Sequence, residues 1–356
     1  MHLTRLRIAR LFGGTVVATV LYLTLGCLLW SIAFLANYSG VSLSFYPIAD
    51  VQQSLYMSTR NIWQYQSECI QLDDQLVYAP QAGSCRFSNI EFDTILTFDR
   101  FGRSVPFRRA LSASEDGIAI LGDSMAMGWG VADSDSYANV LQAGTQRPVY
   151  NLGVSSYATD RELVRLAQFD QDISTVIIQY SAHDYGENAS SNISSNFEVY
   201  RELMEAQVVA PQDRGLRDQL HETLTPDHVK EALKAPIRPI FYLIRGLLGR
   251  SNDLEFSAHG ERLSEVFQRH WELLSDKDII VFYANSTWRQ FTGFDNYLIE
   301  DMSNVKFLDM DFNEDHFYSI DAHLNAKGHR YVGTRLLEIL DALDGDSVLD
   351  PDKGSR

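Results

Sequence analysis

The sequence predicts an α/β protein with a parallel β-sheet and a helical insertion, preceded by one transmembrane helix. Short apolar stretches typical of buried strands alternate with stretches of helical periodicity, which is the pattern of a parallel sheet covered by helices. Residues 189–276 depart from this alternation and read as mostly helical. Residues 11–35 contain no charged side chain. At ~1.5 Å per residue, a helix of that length exceeds the ~30 Å hydrocarbon thickness of a bilayer.

Charges on either side of the apolar segment predict its orientation. Arg5, Arg7 and Arg10 precede it, and the next charge along the chain is Asp50. This asymmetry places the N-terminus in the cytoplasm and the remainder in the periplasm or outside the cell. The alternative is a cleaved signal peptide, but the apolar core of such peptides usually has about 7–15 residues. No clear small-x-small cleavage site precedes Asn37, so we favour an uncleaved anchor.

The charge balance argues against one class of partner. The chain has 30 basic and 47 acidic side chains, for a formal net charge of −17. Without the three arginines before the anchor, the exported part carries −20. Such a surface repels phosphate backbones, so we expect no nucleic-acid partner.

Two of the three cysteines are expected to pair. Cys27 lies inside the apolar segment, whereas Cys69 and Cys85 are the two cysteines of the exported part and stand 16 residues apart. A disulfide persists in an oxidising compartment. Closing this loop is worth about 3 kcal/mol in the chain-entropy account.

One buried strand leads directly into a candidate nucleophile. The uncharged residues 117–121 fit a strand covered on both faces, and Gly122-Asp123-Ser124 follow at once. Ligands bind beyond the carboxyl ends of parallel strands, so Ser124 is expected at the mouth of a site. The alternative is that Asp123 or Ser124 only caps the next helix.

Further strands and helices follow in alternation. A helix is expected from Tyr137, and another opens at Thr159, which forms a capping box with Glu162. The β-branched and apolar content of the remaining stretches is typical of strands. The predicted later strands are 148–152, 174–180, 278–283 and 305–308.

A candidate base and its partner lie near the C-terminus. A serine nucleophile needs a base, and the base needs an acceptor that holds its tautomer. Asp321 and His323 supply both on one loop. Asn325 then caps an amphipathic helix with apolar residues at helical spacing, which holds the loop in place.

These two blocks resemble those of the SGNH (GDSL-like) hydrolase superfamily, in which Gly-Asp-Ser carries the nucleophile and a final Asp-x-His or Asp-x-x-His precedes Asn. The resemblance implies a five-stranded, flavodoxin-like parallel sheet and a Ser124–His323–Asp321 triad. It implies no cofactor. The spacing of His316, His323 and His329 also matches no recognised metal motif.

The superfamily's second block matches this chain, whereas its third block departs from it. Asn151-Leu152-Gly153 matches the second block, so the resemblance implies that the Gly153 N–H joins the Ser124 N–H in the oxyanion hole; the alternative is a simple turn glycine. In the third block the expected asparagine is His183. A histidine can donate one N–H to the same oxyanion; the alternative is a polar residue at a strand end. Asn188 is a possible substitute donor.

Two further residues, Asp123 and Asp184, are candidates for support of the site. Within the insertion, the basic and apolar segment 230–250 suits either the membrane interface or an ordinary core helix.

The chain is predicted to have four parts. They are a cytoplasmic N-terminus and anchor (1–36), an extracytoplasmic lead-in (37–110), an SGNH-like domain (111–345, insertion about 189–276) and a polar tail (346–356).

The resemblance implies a membrane-anchored serine esterase or O-acyltransferase that acts on acyl esters of a surface polysaccharide or another envelope glycan. A membrane-bound O-acyltransferase is a possible partner. The alternative is a catalytically weak scaffold that binds glycan or such a partner, which the departure at His183 keeps open.

Overall fold

The computed structural model describes residues 2–45, 47–108, 116–188, 197–206, 213–238, 244, 253–284 and 302–348. The strands are β1 (Ile70–Asp73), β2 (Val77–Pro80), β3 (Gly83–Asn89), β4 (Phe92–Asp99), β5 (Gly102–Arg103), β6 (Gly117–Gly122), β7 (Val149–Asn151), β8 (Ile173–Tyr180), β9 (Asp278–Tyr283) and β10 (Val305–Leu308). The α-helices are α1 (His2–Tyr38), α2 (Ile48–Thr59), α3 (Ser124–Met127), α4 (Tyr137–Gly144), α5 (Thr159–Ala167), α6 (Asp184–Asn188), α7 (Phe197–Glu205), α8 (Leu216–Thr223), α9 (Pro226–Lys234), α10 (Asp253–Arg269), α11 (Trp271–Leu274) and α12 (Ala326–Val348).

Within the described residues, the central sheet has eight strands in the order β10-β9-β8-β6-β7-β5-β4-β3. The five strands from β10 to β7 are parallel. Their spatial order, numbered along the chain, is 2-1-3-4-5, which is the flavodoxin-like order. The predicted α/β fold class is therefore confirmed, and β6 lies at the point where the strand order reverses.

Strand β6 is buried on both faces because its two sets of side chains belong to two separate cores. Ile118 and Ile120 pack with the side of the sheet covered by α4 and α12. Ala119 and Leu121 pack with the opposite side, covered by α5 and α10. Alternating side chains of a strand point to opposite faces, so an apolar stretch without polar breaks is what this position requires.

The lead-in does not form a separate layer. Strands β3, β4 and β5 are antiparallel, and β5 pairs with β7, so the lead-in extends the central sheet across the predicted boundary at residue 110. Strands β3 and β4 are paired over seven residues. A disulfide joins Cys69 to Cys85, with their Cα atoms 5.4 Å apart.

Helix α1 packs on the rest of the protein along one face. Its stretch Gly13–Tyr38 is long and apolar enough to cross a membrane by length and composition, with a mean hydropathy of 2.1. Leu29, Ala33 and Phe34 pack with Val51 and Leu55 of α2 and with alanines of the insertion. Most other side chains of this stretch are exposed, including Leu21, Leu28 and Leu35.

The described parts of the insertion are helical, as predicted, and comprise α7 to α11 up to residue 274. Helix α9 lies so close to α1 that a Cβ atom at Gly26 would come within 2.5 Å of the Leu233 side chain. Of the predicted interfacial segment, residues 239–243 and 245–250 lie outside the described residues, as do 349–356 of the predicted tail.

Candidate active site

Ser124 is placed by the turn that joins β6 to α3. Gly122 has φ 141°, a conformation that favours glycine, and a Cβ atom there would lie 2.6 Å from Ala126 Cβ. Asp123 is the N-cap of α3, since its carboxylate accepts a hydrogen bond from the Met125 N–H at 2.7 Å. The capping role therefore falls to Asp123, and the Ser124 hydroxyl is free for another partner.

The structure brings the three predicted catalytic residues together. Ser124 Oγ lies 2.8 Å from His323 Nε2, and His323 Nδ1 is hydrogen-bonded to Asp321 Oδ1. An ionised carboxylate only accepts, so Nδ1 carries the proton and Nε2 presents its lone pair to the serine. Ser124 and His323 are each 9% exposed, whereas Asp321 is 1% exposed. This arrangement is that of a serine nucleophile, a general base and its orienting acid.

The loop that carries His323 is fixed at both of its ends. Ala322 adopts φ 67°, which turns the chain sharply between Asp321 and His323. The Tyr318 N–H donates to the His323 carbonyl at 2.8 Å. On the other side Asn325 caps α12, with its side-chain oxygen accepting from two N–H groups of the first turn. The predicted cap is confirmed.

Glu91, in the turn between β3 and β4, holds the same loop from outside. Its carboxylate accepts the backbone N–H groups of Ser319, Ile320 and Asp321 at 2.7–2.8 Å. Burial raises the pKa of the Glu91 carboxyl, although these three donors act in the opposite direction. The lead-in thus contributes directly to the position of Asp321.

Two side chains, from α2 and from its C-cap residue, reach Asp321. The Tyr56 hydroxyl donates to Asp321 Oδ2, and Arg60 Nη1 lies 3.7 Å from the same oxygen. Burial acts to raise the pKa of the Asp321 carboxyl, but His323, Arg60 and Tyr56 together hold it below its ordinary value. The carboxylate therefore stays ionised around neutral pH, as an acceptor for His323 must.

Trp129 covers one face of the His323 ring. The two rings are stacked, with centroids 4.5 Å apart and planes 12° from parallel. The Arg60 guanidinium lies over the same indole, 5.2 Å from its centroid. Sequence reasoning missed Trp129, Tyr56, Arg60 and Glu91, because no local motif marks them.

Gly153 lies close to the nucleophile helix. A Cβ atom at Gly153 would lie 2.6 Å from the Met127 backbone nitrogen, so the contact between this turn and α3 requires glycine. Its N–H donates to Asn151 Oδ1 at 3.0 Å. An oxyanion would have to share that donor, and the oxyanion role of Gly153 stays a prediction.

His183 lies between two carboxylates at the end of β8. Ser181 Oγ donates to Asp184 Oδ1 at 3.0 Å and therefore accepts from His183 Nδ1 at 2.6 Å. The Tyr157 carbonyl can only accept, so His183 Nε2 donates to it at 3.1 Å. When the Asp184 carboxyl is ionised, both ring nitrogens carry protons in this arrangement, and the side chain is a positively charged imidazolium.

The surroundings of His183 favour this charge. Burial acts to lower the pKa of His183, but Asp184 and Asp123 raise it above its ordinary value. Asp123 Oδ2 lies 3.4 Å from Nδ1, and 44% of the His183 side chain is exposed. A charged His183 therefore lies against Asp123, the residue before Ser124. Both of its ring nitrogens are hydrogen-bonded within the chain. Its role at the oxyanion stays a prediction.

The remaining predicted support residues lie behind His183. Asp184 is fully buried, accepts from the Thr159 hydroxyl at 2.9 Å, and has its pKa raised by burial to about 7. Asn188 Oδ1 accepts from the Asp160 N–H at 3.1 Å, which ties α6 to α5. The capping box of Thr159 with Glu162 was wrong, because Ala158 is the N-cap and Thr159 binds Asp184 instead.

Within the described ranges, no group of three or more His, Cys, Asp or Glu side chains is arranged to hold a metal ion. The site offers the Ser124 hydroxyl, the His323 imidazole that is oriented by Asp321, and the nearby His183 side chain. These groups suit attack on an ester carbonyl.

No protein-family model matches the sequence, and no curated protein matches it. Several solved structures are similar to it, including the three that follow. One is a lipolytic protein of the G-D-S-L family from Desulfitobacterium hafniense, at 14% identity and a TM-score of 0.32, over 63% of this chain and 99% of that one. Another is described as a platelet activating factor from Streptococcus pneumonia, at 12% identity and a TM-score of 0.33, over 65% of this chain and 86% of that one. The third is a carbohydrate esterase family 2 enzyme with a carbohydrate-binding domain from Corynascus thermopiles, at 13% identity and a TM-score of 0.35, over 68% of this chain and 70% of that one.

Proposed function

We propose that this protein is a membrane-anchored serine ester hydrolase or O-acyltransferase of the SGNH type. Its α/β domain lies in the periplasm or outside the cell and acts on acyl esters of a surface polysaccharide or another envelope glycan. The observation that carries the proposal is the continuous hydrogen-bonded row of Ser124, His323 and Asp321 at the carboxyl end of β6.

The first half of the reaction forms an acyl-enzyme. Ser124 Oγ attacks the ester carbonyl carbon while its proton passes to His323 Nε2. Asp321 stabilises the resulting imidazolium, and the N–H groups of Ser124, Gly153 and His183 are the proposed donors to the negative oxygen of the tetrahedral intermediate. The bond from the carbonyl carbon to the alcohol oxygen then breaks. His323 returns the proton to that oxygen, and the alcohol leaves.

The second half returns the serine. With His323 as base, either water or a sugar hydroxyl attacks the acyl-Ser124 carbonyl carbon. The bond from that carbon to Ser124 Oγ then breaks, and His323 passes the proton taken from the attacking group to Ser124 Oγ. Water releases a carboxylic acid, whereas a sugar hydroxyl gives a new ester. A membrane-bound O-acyltransferase fits as a partner that supplies or receives the acyl group.

The anchor supports the proposed location. The apolar stretch of α1 follows Arg5, Arg7 and Arg10, and the positive-inside rule then puts these arginines in the cytoplasm. The disulfide Cys69–Cys85 suits an oxidising compartment.

One observation favours the second candidate, a catalytically weak scaffold. The N–H groups of Gly153 and His183 are all bound within the chain, so two of the expected oxyanion donors are already engaged. A scaffold would keep the fold and bind glycan or a membrane partner without turnover.

Labelling with a tagged fluorophosphonate decides between the two. The full chain in detergent should be modified at Ser124, as located by peptide mass spectrometry, because the probe reacts with a serine whose proton a base removes. Folded protein that remains unlabelled at Ser124 would reject the esterase proposal in favour of the scaffold.

The role of His183 has a separate test. We expect His183→Asn to keep kcat for p-nitrophenyl acetate within tenfold of the parent, because an amide also donates to an oxyanion. His183→Ala should lower kcat by about 10²–10³, the usual effect of losing one oxyanion donor. If the asparagine variant is as slow as the alanine variant, the imidazole does something that an amide cannot do. Thermal unfolding of both variants serves as the folding control.

A further inference from the structure

Helix α2 contacts the side of Asp321 that faces away from His323. We propose that Tyr56 of this helix and Arg60, its C-cap, are positioning residues, which hold the Asp321 carboxylate in the orientation that His323 requires. The inference rests on the proposed function, since it concerns the same triad. The inference extends the proposed function, because it assigns part of the active centre to a helix outside the predicted catalytic domain.

Tyr56 fixes the rotation of the carboxylate. Asp321 Oδ1 binds His323 and Oδ2 binds the Tyr56 hydroxyl, so the two oxygens have different partners and cannot exchange without losing both bonds. Tyr56 is 1% exposed. Burial, and then the Asp321 charge, raise the pKa of Tyr56 well above its ordinary value, so the phenol keeps its proton and remains a donor.

Arg60 adds a charge at the same oxygen. Its guanidinium lies 3.7 Å from Asp321 Oδ2, and 15% of its side chain is exposed. It also lies over Trp129, which in turn stacks on the His323 ring. A cation at this position stabilises the ionised carboxylate and opposes protonation of the imidazole next to it.

The helix itself is held from two sides. Val51 and Leu55 pack in a cluster with α1, whereas Tyr56 and Arg60, four residues apart, lie on the turn that faces Asp321. The Gln53 side chain also donates to the Ile320 carbonyl at 3.4 Å. The contacts of α2 thus connect the apolar N-terminal helix to the loop of the catalytic acid.

The charged and titratable groups around Asp321 come from three parts of the chain. They are His323 and Tyr318 on its own loop segment, Tyr56 of α2 with its C-cap Arg60, and Glu91 in the β3–β4 turn. Loss of the Tyr56 donor leaves more of the Asp321 charge available to His323. Loss of the Arg60 cation does the same. Both changes stabilise the imidazolium, so both move the acid limb of the activity profile to higher pH.

The test uses Tyr56→Phe, Arg60→Gln and Arg60→Lys in the full chain in detergent. We expect Tyr56→Phe to lower kcat for p-nitrophenyl acetate about tenfold or more, with KM within twofold, because Tyr56 orients the acid without touching the ester. The second-order rate of fluorophosphonate labelling, measured against pH, should show its acid limb displaced upward by about 0.5–1 unit in Tyr56→Phe and Arg60→Gln. Arg60→Lys should restore most of the parent profile.

Tyr180→Phe is the matched control. Tyr180 is as buried as Tyr56, and its hydroxyl binds His259 at 2.7 Å, outside the triad. This variant should leave the acid limb in place. If the parent is labelled but Tyr56→Phe and Arg60→Gln keep both kcat within threefold and the parent acid limb, the positioning role is wrong and the proposed function stands. A parent that is not labelled at Ser124 overturns both. Loss of kcat in Arg60→Gln without displacement of the limb also overturns the inference, since it indicates only a structural role.

Discussion

Replacing Ser124 by alanine is expected to lower ester turnover by about 10⁴-fold or more. The hydroxyl is the atom that forms the acyl-enzyme, and it lies 2.8 Å from the base that removes its proton. His323→Ala should cost a similar factor, because residues that act as one unit each remove most of the rate when lost. The double variant should therefore be little slower than either single variant. Steady-state hydrolysis of p-nitrophenyl acetate measures all three.

Ser136→Ala is a suitable control for this series. Ser136 is fully buried and caps α4, where its side chain accepts from the Asn139 N–H. Its loss should reduce the free energy of unfolding by about 1 kcal/mol and leave turnover per folded molecule unchanged. Residual activity within tenfold of the parent in Ser124→Ala or His323→Ala would contradict the triad assignment.

Asp321→Asn is expected to lower kcat by about 10³–10⁴ with little change in fold. Tyr56 donates to Oδ2, so in the variant the amide oxygen takes that place, and the NH₂ group then faces His323 Nδ1. Nδ1 must now accept, which moves the imidazole proton to Nε2. The base then presents an N–H to Ser124 in place of its lone pair, and this wrong tautomer costs about 10⁴ in the best-studied triad.

The control for this change is Asp315→Asn. Asp315 lies six residues before Asp321, has 73% of its side chain exposed and pairs with Lys327 at 2.7 Å. It loses the same charge without touching the triad, so its kcat should equal that of the parent. An Asp321→Asn variant with more than a tenth of the parent kcat would show that His323 is not oriented by this carboxylate.

Much of the sheet could be predicted because its strands are local patterns. Strands β9 and β10 have the predicted bounds, since each is a short apolar or alternating run. The triad residues could also be proposed, because Ser124 follows a buried strand and Asp321 precedes a capped helix.

The residues around the triad could not be predicted, because their partners lie far away in the chain. Tyr56 and Asp321 are 265 residues apart, and Glu91 and Asp321 are 230 apart. No helical or strand periodicity reports such a contact. His259 is a further example: it lies in the helical insertion but is only 6% exposed, because it packs against the distant Tyr180 of β8.

The way α1 continues into the folded domain limits where the protein can work. Only residues 39–47 separate α1 from α2, and α2 packs back on α1. In the proposed function, in which α1 is the anchor, this connection of nine residues keeps the domain next to the bilayer. A folded domain of this size is on the order of 50 Å across. The proposed catalytic centre would then work within a thin layer above the membrane, and a glycan substrate would be modified while it lies in that layer, close to where it is assembled or exported.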